Sequence, residues 1–317
     1  MRGVLLDLDT ITTGDLDLGP LHAALPGLRL YGISAPETIP DRVVDAEVVI
    51  TNKAPLPRST LEGARALRLV CVTATGTDHV DLDAARSRGI VLSNVVGYAT
   101  DSVAQHVFAL MLALTTRLFE YRHTVISGAW SRSPHFTALT APIHELRSRV
   151  LGIVGYGELG RAVARLGEAY GMRIRVAERA GQPPRTGRIP LEDLLAEADV
   201  LSLHCPLTSQ TRGLIGPREL ARMKPGALLI NTARGGVVDE PALAAALRSG
   251  HLGGAGIDVL SREPPPPDHP LLAADLPNLI VTPHIAWASR EARQRLVTEI
   301  AANLHAFQAG HPRNRVV

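Results

Sequence analysis

Short apolar runs separated by stretches with helical spacing set the pattern of this chain. In its first third the runs fall at residues 4–8, 28–33, 48–51, 69–73 and 90–93, with helix-compatible segments such as 61–67 and 82–88 between them. That alternation predicts a parallel α/β sheet, whose strands are covered on both faces and so read as unbroken apolar runs. Residues 102–118 place Val103, Val107, Leu110, Met111, Leu114 and Leu118 on one helical face, and Ser102 with Gln105 has capping-box spacing at its start. Residues 121–148 are less regular and carry Trp130, Phe136 and two prolines, which reads either as an arm packing on another subunit or as a surface loop. Apolar runs then recur at 151–154, 173–177, 200–204, 227–231, 255–259 and 279–282, giving six strands with helices between them. A last helix over about 289–308 is expected to return, with the tail, to the N-terminal domain and make that domain discontinuous.

Directly behind the run at 151–154 comes G-Y-G-E-L-G, which sets Gly155, Gly157 and Gly160 in G-x-G-x-x-G spacing, and a helical pattern over Leu159–Tyr170 follows. Three glycines at this spacing serve a tight turn, a close backbone approach to a pyrophosphate, and close packing of helix on strand. The helix start then presents unpaired N–H groups and the positive end of its dipole to the phosphates. The following strand ends in Glu178, eighteen residues past Gly160. A carboxylate there accepts from ribose hydroxyls and repels a 2′-phosphate, favouring NAD(H) over NADP(H), although the adjacent Arg179 is a cation that could pair with a phosphate. These features together predict a Rossmann-type dinucleotide site.

Three later segments put chemistry at strand ends, where open α/β sheets bind ligands. I-N-T-A-R-G-G-V-V-D-E places Arg234 after the fourth strand of this half, G-A-G-I-D-V-L-S-R-E-P places Asp258 in the fifth and Glu263 after it, and V-T-P-H-I-A-W-A-S places His284 after the sixth. Reduction of a 2-keto acid needs a cation for the carboxylate and an acid for the carbonyl oxygen. A guanidinium supplies the first through bidentate hydrogen bonds, and an imidazolium kept protonated by a neighbouring carboxylate supplies the second.

Composition narrows the setting. At 317 residues the chain is long enough for two domains, and its 45% hydrophobic content predicts a folded protein. A net charge of +2 with scattered arginines argues against nucleic-acid binding. Cys71 and Cys205 lie in or at the end of strand-like runs and read as buried thiols, which suits a reducing compartment. Acidic residues follow a very short apolar run at the start, arguing against a signal peptide, and no run approaches a membrane span, so a cytoplasmic location and no membrane partner are expected. No cluster has metal-ligand spacing. The D-L-D-T at residues 7–10 reads as the end of the first strand rather than a phosphatase motif, the prolines after Glu263 as a stiffened loop, and Trp287 as a wall beside His284 or a packing residue at the hinge.

In combination, G-Y-G-E-L-G, H-C-P-L-T-S-Q-T-R-G-L-I, M-K-P-G-A-L-L-I-N-T-A-R-G-G-V-V-D-E and T-P-H-I-A-W-A-S resemble the D-2-hydroxyacid dehydrogenase family over essentially the whole chain. The resemblance implies an α/β fold of two domains. A Rossmann-type NAD-binding domain at 99–287 would be inserted into a flavodoxin-like substrate domain at 1–98 plus 288–317, and the protein would be a homodimer with its dimerisation arm at 119–148. It implies Arg234, Glu263 and His284 as catalytic residues, and Gly155, Gly157, Glu158, Leu159, Gly160, Glu178, Pro206, Thr211, Thr232, Ala233 and Asp258 as cofactor contacts. Within the family, T-N-K-A-P-L (51–56), V-T-A-T-G-T-D-H-V-D (72–81) and G-Y-A-T-D-S-V-A-Q-H (97–106) look most like hydroxypyruvate reductases, also called glycerate dehydrogenases. There the turn at Thr75 and Gly76 would hold the substrate carboxylate on its backbone N–H groups, with Lys53 as a further contact or a structural ion pair. The expected activity is therefore NAD(H)-dependent interconversion of a small 2-keto acid, hydroxypyruvate or glyoxylate, with its D-2-hydroxy acid. The alternatives are a dehydrogenase for a bulkier or pathway-specific 2-keto acid, and a dinucleotide-sensing protein of the corepressor kind.

Overall fold

In the computed structural model, which describes residues 1–179, 181–182 and 185–317, the apolar runs pair into two separate parallel sheets. The chain divides into two compact units, Met1–Ala99 with Trp287–Val317, and Thr100–Ala286.

The first unit holds β1 (Gly3–Leu5), β2 (Leu28–Leu30), β3 (Val48–Thr51), β4 (Leu69–Val72) and β5 (Val91–Ser93), in the order β2-β1-β3-β4-β5. All four pairings are parallel. β3 and β4 are buried along their whole length, and alternate residues serve opposite faces: Val49 and Val70 face one core cluster, Val48, Ile50 and Leu69 the other. The helix Arg290–Gln308 covers the second face with Leu296, Val297, Ile300 and Leu304, and its first turn is capped by Ser289, whose side chain accepts from the Ala292 N–H. The tail continues to the same sheet, where the Val316 N–H donates to the Leu92 carbonyl and Val317 enters the first face's core. The first apolar run yields a strand of only three residues; Asp7, 4% exposed, lies past its end and accepts the N–H groups of Asn52, Lys53 and Ala54, and Leu8–Thr10 form a short 3-10 helix rather than the end of the strand.

The second unit holds β6 (Val150–Val154), β7 (Arg173–Ala177), β8 (Arg188–Ile189), β9 (Val200–Leu203), β10 (Leu228–Asn231), β11 (Gly254–Ile257) and β12 (Leu279–Val281). Their order is β12-β11-β10-β9-β6-β7-β8, again parallel throughout. This is the doubly wound order, reversing between β6 and β9, and the carboxyl ends of those two strands form its switch point. Among the described residues there are seven strands where six were expected, because β8 has two residues and is too short to show periodicity.

The helix expected over 102–118 runs over Thr100–Thr115 instead. Ser102 lies inside it and forms no capping box: its Oγ donates to the Ala286 carbonyl at 2.7 Å. The chain breaks where Arg117 takes a left-handed conformation, with φ 53°, so Leu118 opens a second helix (Leu118–Ile126) and stands 56% exposed. Val103, Val107, Leu110, Met111 and Leu114 are buried. The helix sits directly on β11 because Gly256 has no side chain; a Cβ there would lie 2.9 Å from that of Leu110. Among the described residues no single helix is long and apolar enough to cross a membrane; the two helices on either side of Arg117 pass that test only as a pair bent by 58°.

Candidate active site

The glycine turn is built at the switch point. β6 delivers Gly155 with φ 93°, and a Cβ there would lie 2.6 Å from the backbone carbon of His204, just past β9. A Cβ on Gly160 would lie 2.2 Å from the Gly155 carbonyl oxygen, so the first and third glycines let strand, turn and helix meet. Gly157 differs: a Cβ there would touch nothing within 4 Å. Its backbone faces open space at the N-terminus of the twelve-residue helix Glu158–Ala169, where Glu158 and Leu159 form the first turn and phosphates bind well. Two enclosed polar atoms of the same sheet end, His204 Nδ1 and Thr232 Oγ1, have no hydrogen-bond partner among the described residues. An open phosphate cradle beside unused polar atoms fits a dinucleotide.

Glu178 closes β7, and Arg185 holds it. Its carboxylate accepts from the N–H groups of Arg179 and Arg185 at 2.7 and 2.8 Å and from Arg185 Nε at 2.9 Å. Arg185 draws the Glu178 pKa down to about 2. The partner of Glu178 is therefore the Arg185 guanidinium, with Arg179 supplying its backbone N–H. After β9, Thr211 Oγ1 donates to the Pro206 carbonyl at 2.6 Å and accepts from the Thr208 N–H at 2.8 Å, folding that loop on itself.

At the end of β10, Asn231, 1% exposed, ties the segment carrying Thr232, Ala233 and Arg234 into a fixed turn. Its Oδ1 accepts from the Ala233 N–H and its Nδ2 donates to the Arg234 carbonyl, both at 3.0 Å. Arg234 is half-buried and donates one N–H to the Ala233 carbonyl at 2.7 Å; among the described residues no carboxylate pairs with it. The site thus keeps a cation whose charge is not already neutralised. The adjoining Gly235 packs against the backbone of Leu260 and Ser261, where a Cβ would come within 2.2 Å of Ser261 N.

His284 and Glu263 are in direct contact: His284 Nδ1 lies 2.6 Å from Glu263 Oε2, and Glu263 Oε1 accepts the Leu260 N–H at 2.9 Å. His284 has φ 56°, a left-handed conformation that a non-glycine residue keeps only where its surroundings impose it. Asp258 imposes it. Its side chain is wholly buried, and the carboxylate accepts from Thr282 Oγ1 at 2.6 Å and from the Ile285 and Ala286 N–H groups at 2.9 Å each. Asp258 thus bolts down the turn from beneath, and His106 Nε2 completes the network on Thr282 Oγ1 at 3.0 Å. Asn231 and His106 had no place among the sequence-derived candidates. An apolar-flanked Asn at a strand end and a His at helical spacing are the only traces they leave.

The first unit holds the other candidates. Lys53 is exposed on a loop whose N–H groups bind Asp7, and Thr75 Oγ1 donates to the Val95 carbonyl at 2.8 Å. Gly76 follows Thr75 in the same exposed turn. Close to them, Thr73 Oγ1 and His79 Nε2 are enclosed without partners; desolvation first, and the Lys53 charge second, push the His79 pKa down to about 4. Trp287 packs edge-on against Tyr98, with ring centroids 6.3 Å apart.

Comparison with known proteins decides the family. The family model described as "D-isomer specific 2-hydroxyacid dehydrogenase, NAD binding domain" matches residues 108–286, the stretch that carries the glycine turn, Arg234, Glu263 and His284. The chain belongs to the D-isomer specific 2-hydroxyacid dehydrogenase family. A glycerate dehydrogenase of Methylorubrum extorquens is 46% identical over 89% of this chain and 88% of its own. A hydroxypyruvate reductase of Blautia hydrogenotrophica is 36% identical, covering 100% of this chain and 99% of its own. A crystal structure of a Thermus thermophilus protein superposes over the full length of both chains with a TM-score of 0.88 at 38% identity. As a member of this family the protein is an NAD-dependent oxidoreductase, and Thr100–Ala286 contains its NAD-binding domain.

His204 of this dehydrogenase predicts acid lability. The residue as a whole is half-buried, yet its ring is enclosed, with Nε2 on Ser202 Oγ at 2.8 Å and Nδ1 unpartnered. Desolvation pushes its pKa from 6.5 down to about 4. The unfolded chain therefore takes up this proton more readily than the folded one. Stability is unaffected above about pH 6.5 and falls as pH drops towards 4, by on the order of 3 kcal/mol from this residue. Urea denaturation between neutral pH and about pH 4.5 should show a shallower acid slope for His204→Gln than for the parent. Equal slopes would contradict the assignment.

Proposed function

We propose that this dehydrogenase reduces a small 2-keto acid, hydroxypyruvate or glyoxylate, to the D-2-hydroxy acid with NADH. The observation that carries the reading is the His284–Glu263 contact at 2.6 Å in the same NAD-binding unit as Arg234, which among the described residues has no carboxylate partner. The relatives named glycerate dehydrogenase and hydroxypyruvate reductase support the substrate class. The nicotinamide's part, when bound, is a hydride for C2 of the keto acid. Residues 155–160, with Glu178, Pro206, Thr211, Thr232, Ala233 and Asp258, are our assignment for its binding and for the support of its site.

Arg234 binds the substrate carboxylate and draws electron density from the carbonyl, because a guanidinium presents two parallel N–H donors at fixed geometry. Glu263 fixes His284 through Nδ1, leaving Nε2 to hand its proton to the carbonyl oxygen as C2 is reduced. The proton and the hydride together convert C=O to CH–OH, and in the oxidative direction His284 takes the hydroxyl proton back. From the N-terminal unit we assign Thr75, Gly76 and Lys53 as substrate contacts. The domain limits in this reading are 99–287 for cofactor and 1–98 plus 288–317 for substrate. A cytoplasmic location belongs to the same proposal, supported by two buried free thiols, Cys71 and Cys205.

The homodimer is part of the reading too. Between residues 119 and 143, Phe119, Ile126, Trp130, Phe136 and Leu139 are 47–92% exposed, an apolar concentration on one stretch of chain that a second copy would cover. Light scattering should give twice the 33.8 kDa chain mass for the parent and the chain mass for Phe136→Asp/Leu139→Asp. A monomeric parent would overturn the dimer.

The substrate reading is tested by loss of NADH absorbance with hydroxypyruvate, glyoxylate, pyruvate and phenylpyruvate in turn. kcat/KM for hydroxypyruvate or glyoxylate should exceed that for phenylpyruvate by about tenfold or more. Preference for phenylpyruvate would assign a bulkier substrate, and no turnover with any of them would overturn the substrate class.

A further inference from the structure

Glu240 is a buried carboxylate that the proposed chemistry does not use. It opens the helix Glu240–Arg248, just behind the N-cap Asp239, whose side chain accepts from the Ala242 N–H. An acidic residue in a helix's first turn complements the dipole from the surface in the ordinary case. Glu240 is only 7% exposed. Removing a charge from water is costly unless hydrogen bonds surround it, and here three donors do. Oε1 accepts the Ser261 N–H at 2.6 Å, and Oε2 accepts Ser261 Oγ at 2.5 Å and faces His269 Nε2 at 3.0 Å.

His269 is 7% exposed as well, and its tautomer follows from its other contact. Nδ1 accepts the Leu271 N–H at 3.2 Å, so the ring proton sits on Nε2 and is donated to Glu240. The pair joins two segments distant in sequence, the helix start at 240 and the loop 261–271.

The purpose of that junction shows in what else touches residues 260 and 261. On one side the bare Gly235, next to Arg234, lies against the Leu260–Ser261 peptide so closely that a Cβ would sit 1.9 Å from Leu260 C. The Leu260 N–H is bound by Glu263 Oε1, and Glu263 Oε2 in turn meets His284 Nδ1. Glu263 therefore anchors its own carboxylate on the Leu260 N–H, one peptide before the Leu260–Ser261 peptide that Gly235 and the Glu240 carboxylate hold. We propose that Glu240, seated by His269, is a positioning residue that sets the Glu263 carboxylate against His284, and so controls the contact through which Glu263 acts on the proton transfer. The proposal rests on the reading of His284 as proton donor.

The test compares Glu240→Gln with the parent and with Glu263→Gln in NADH-dependent hydroxypyruvate reduction over a range of pH. Gln at 240 keeps an acceptor for the Ser261 N–H but turns an amide N–H₂ or a weaker acceptor towards His269. A loosened Glu263 is a poorer partner for His284 Nδ1, so the alkaline limb of kcat should move to lower pH, by about half a unit, and kcat on that limb should fall about threefold. KM for NADH should stay within about twofold, because the glycine turn is not touched. Glu263→Gln should move the limb in the same direction and further.

A merely structural Glu240 lowers the active fraction and leaves the limb in place; that result, or an unchanged kcat and limb, overturns the proposal. If Glu263→Gln itself leaves the limb unmoved, the proton-donor reading fails and the proposal falls with it. If Glu263→Gln moves the limb and Glu240→Gln does not, the proposal alone fails. Should Glu240→Gln not fold, His269→Gln loosens the same junction from the other side; the limb must then shift in the same direction, and no shift again overturns the proposal.

Discussion

The buried carboxylate of Asp258 is the constraint from which the rest of the site follows. A charge enclosed at the end of β11 has to be matched by donors, and the donors within reach are the hydroxyl of Thr282 and two successive N–H groups, those of Ile285 and Ala286. Satisfying them fixes a turn that the chain would otherwise not adopt, with His284 left-handed at its apex. The strain at His284 is thus offset by hydrogen bonds to a group that never has to move. The imidazole is placed from beneath by Asp258, and from the side by Glu263.

The same economy recurs along the sheet edge. Asn231 at the end of β10 closes the turn that carries Arg234 on itself, and the missing side chain of Gly235 lets that turn press on the segment leading to Glu263. Parallel strands make this arrangement accessible. Their carboxyl ends all emerge on one edge, so residues from three successive strand ends share one neighbourhood, while the glycine turn after β6 occupies the switch point of the same edge. Rigid strands supply the placement and short polar clamps supply the orientation, as a group that must transfer a proton without searching for its partner requires.

Much of this was legible in the chain. Apolar runs such as 48–51 and 69–73 are the signature of strands covered on both faces, and the spacing of Gly155, Gly157 and Gly160 gained its meaning from the strand before it and the helical pattern after it. Glu263 and His284 stood out as ionisable groups just past strand ends, and their contact at 2.6 Å joins two positions 21 residues apart. What stayed hidden has a common cause. Asn231 and Glu240, and the clamp that Asp258 makes on the His284 turn, act through backbone N–H and carbonyl groups, or through partners far along the chain, and a backbone partner leaves no letter in the sequence. Ser102 shows the converse: the spacing Ser-x-x-Gln fits a cap, but the hydroxyl is taken by the Ala286 carbonyl, 184 positions away, and the helix starts earlier. β8 was missed because two residues carry no period.

The central claim is that His284 is the proton donor, held by Asp258 and Glu263. Single-turnover reduction of hydroxypyruvate by His284→Ala, measured beside its NADH affinity from cofactor fluorescence, addresses it most directly. The account predicts a rate reduced by about 10²–10⁴-fold with the NADH dissociation constant changed by less than about threefold. Turnover within about tenfold of the parent, with cofactor affinity intact, would place the acid on another group and contradict the account.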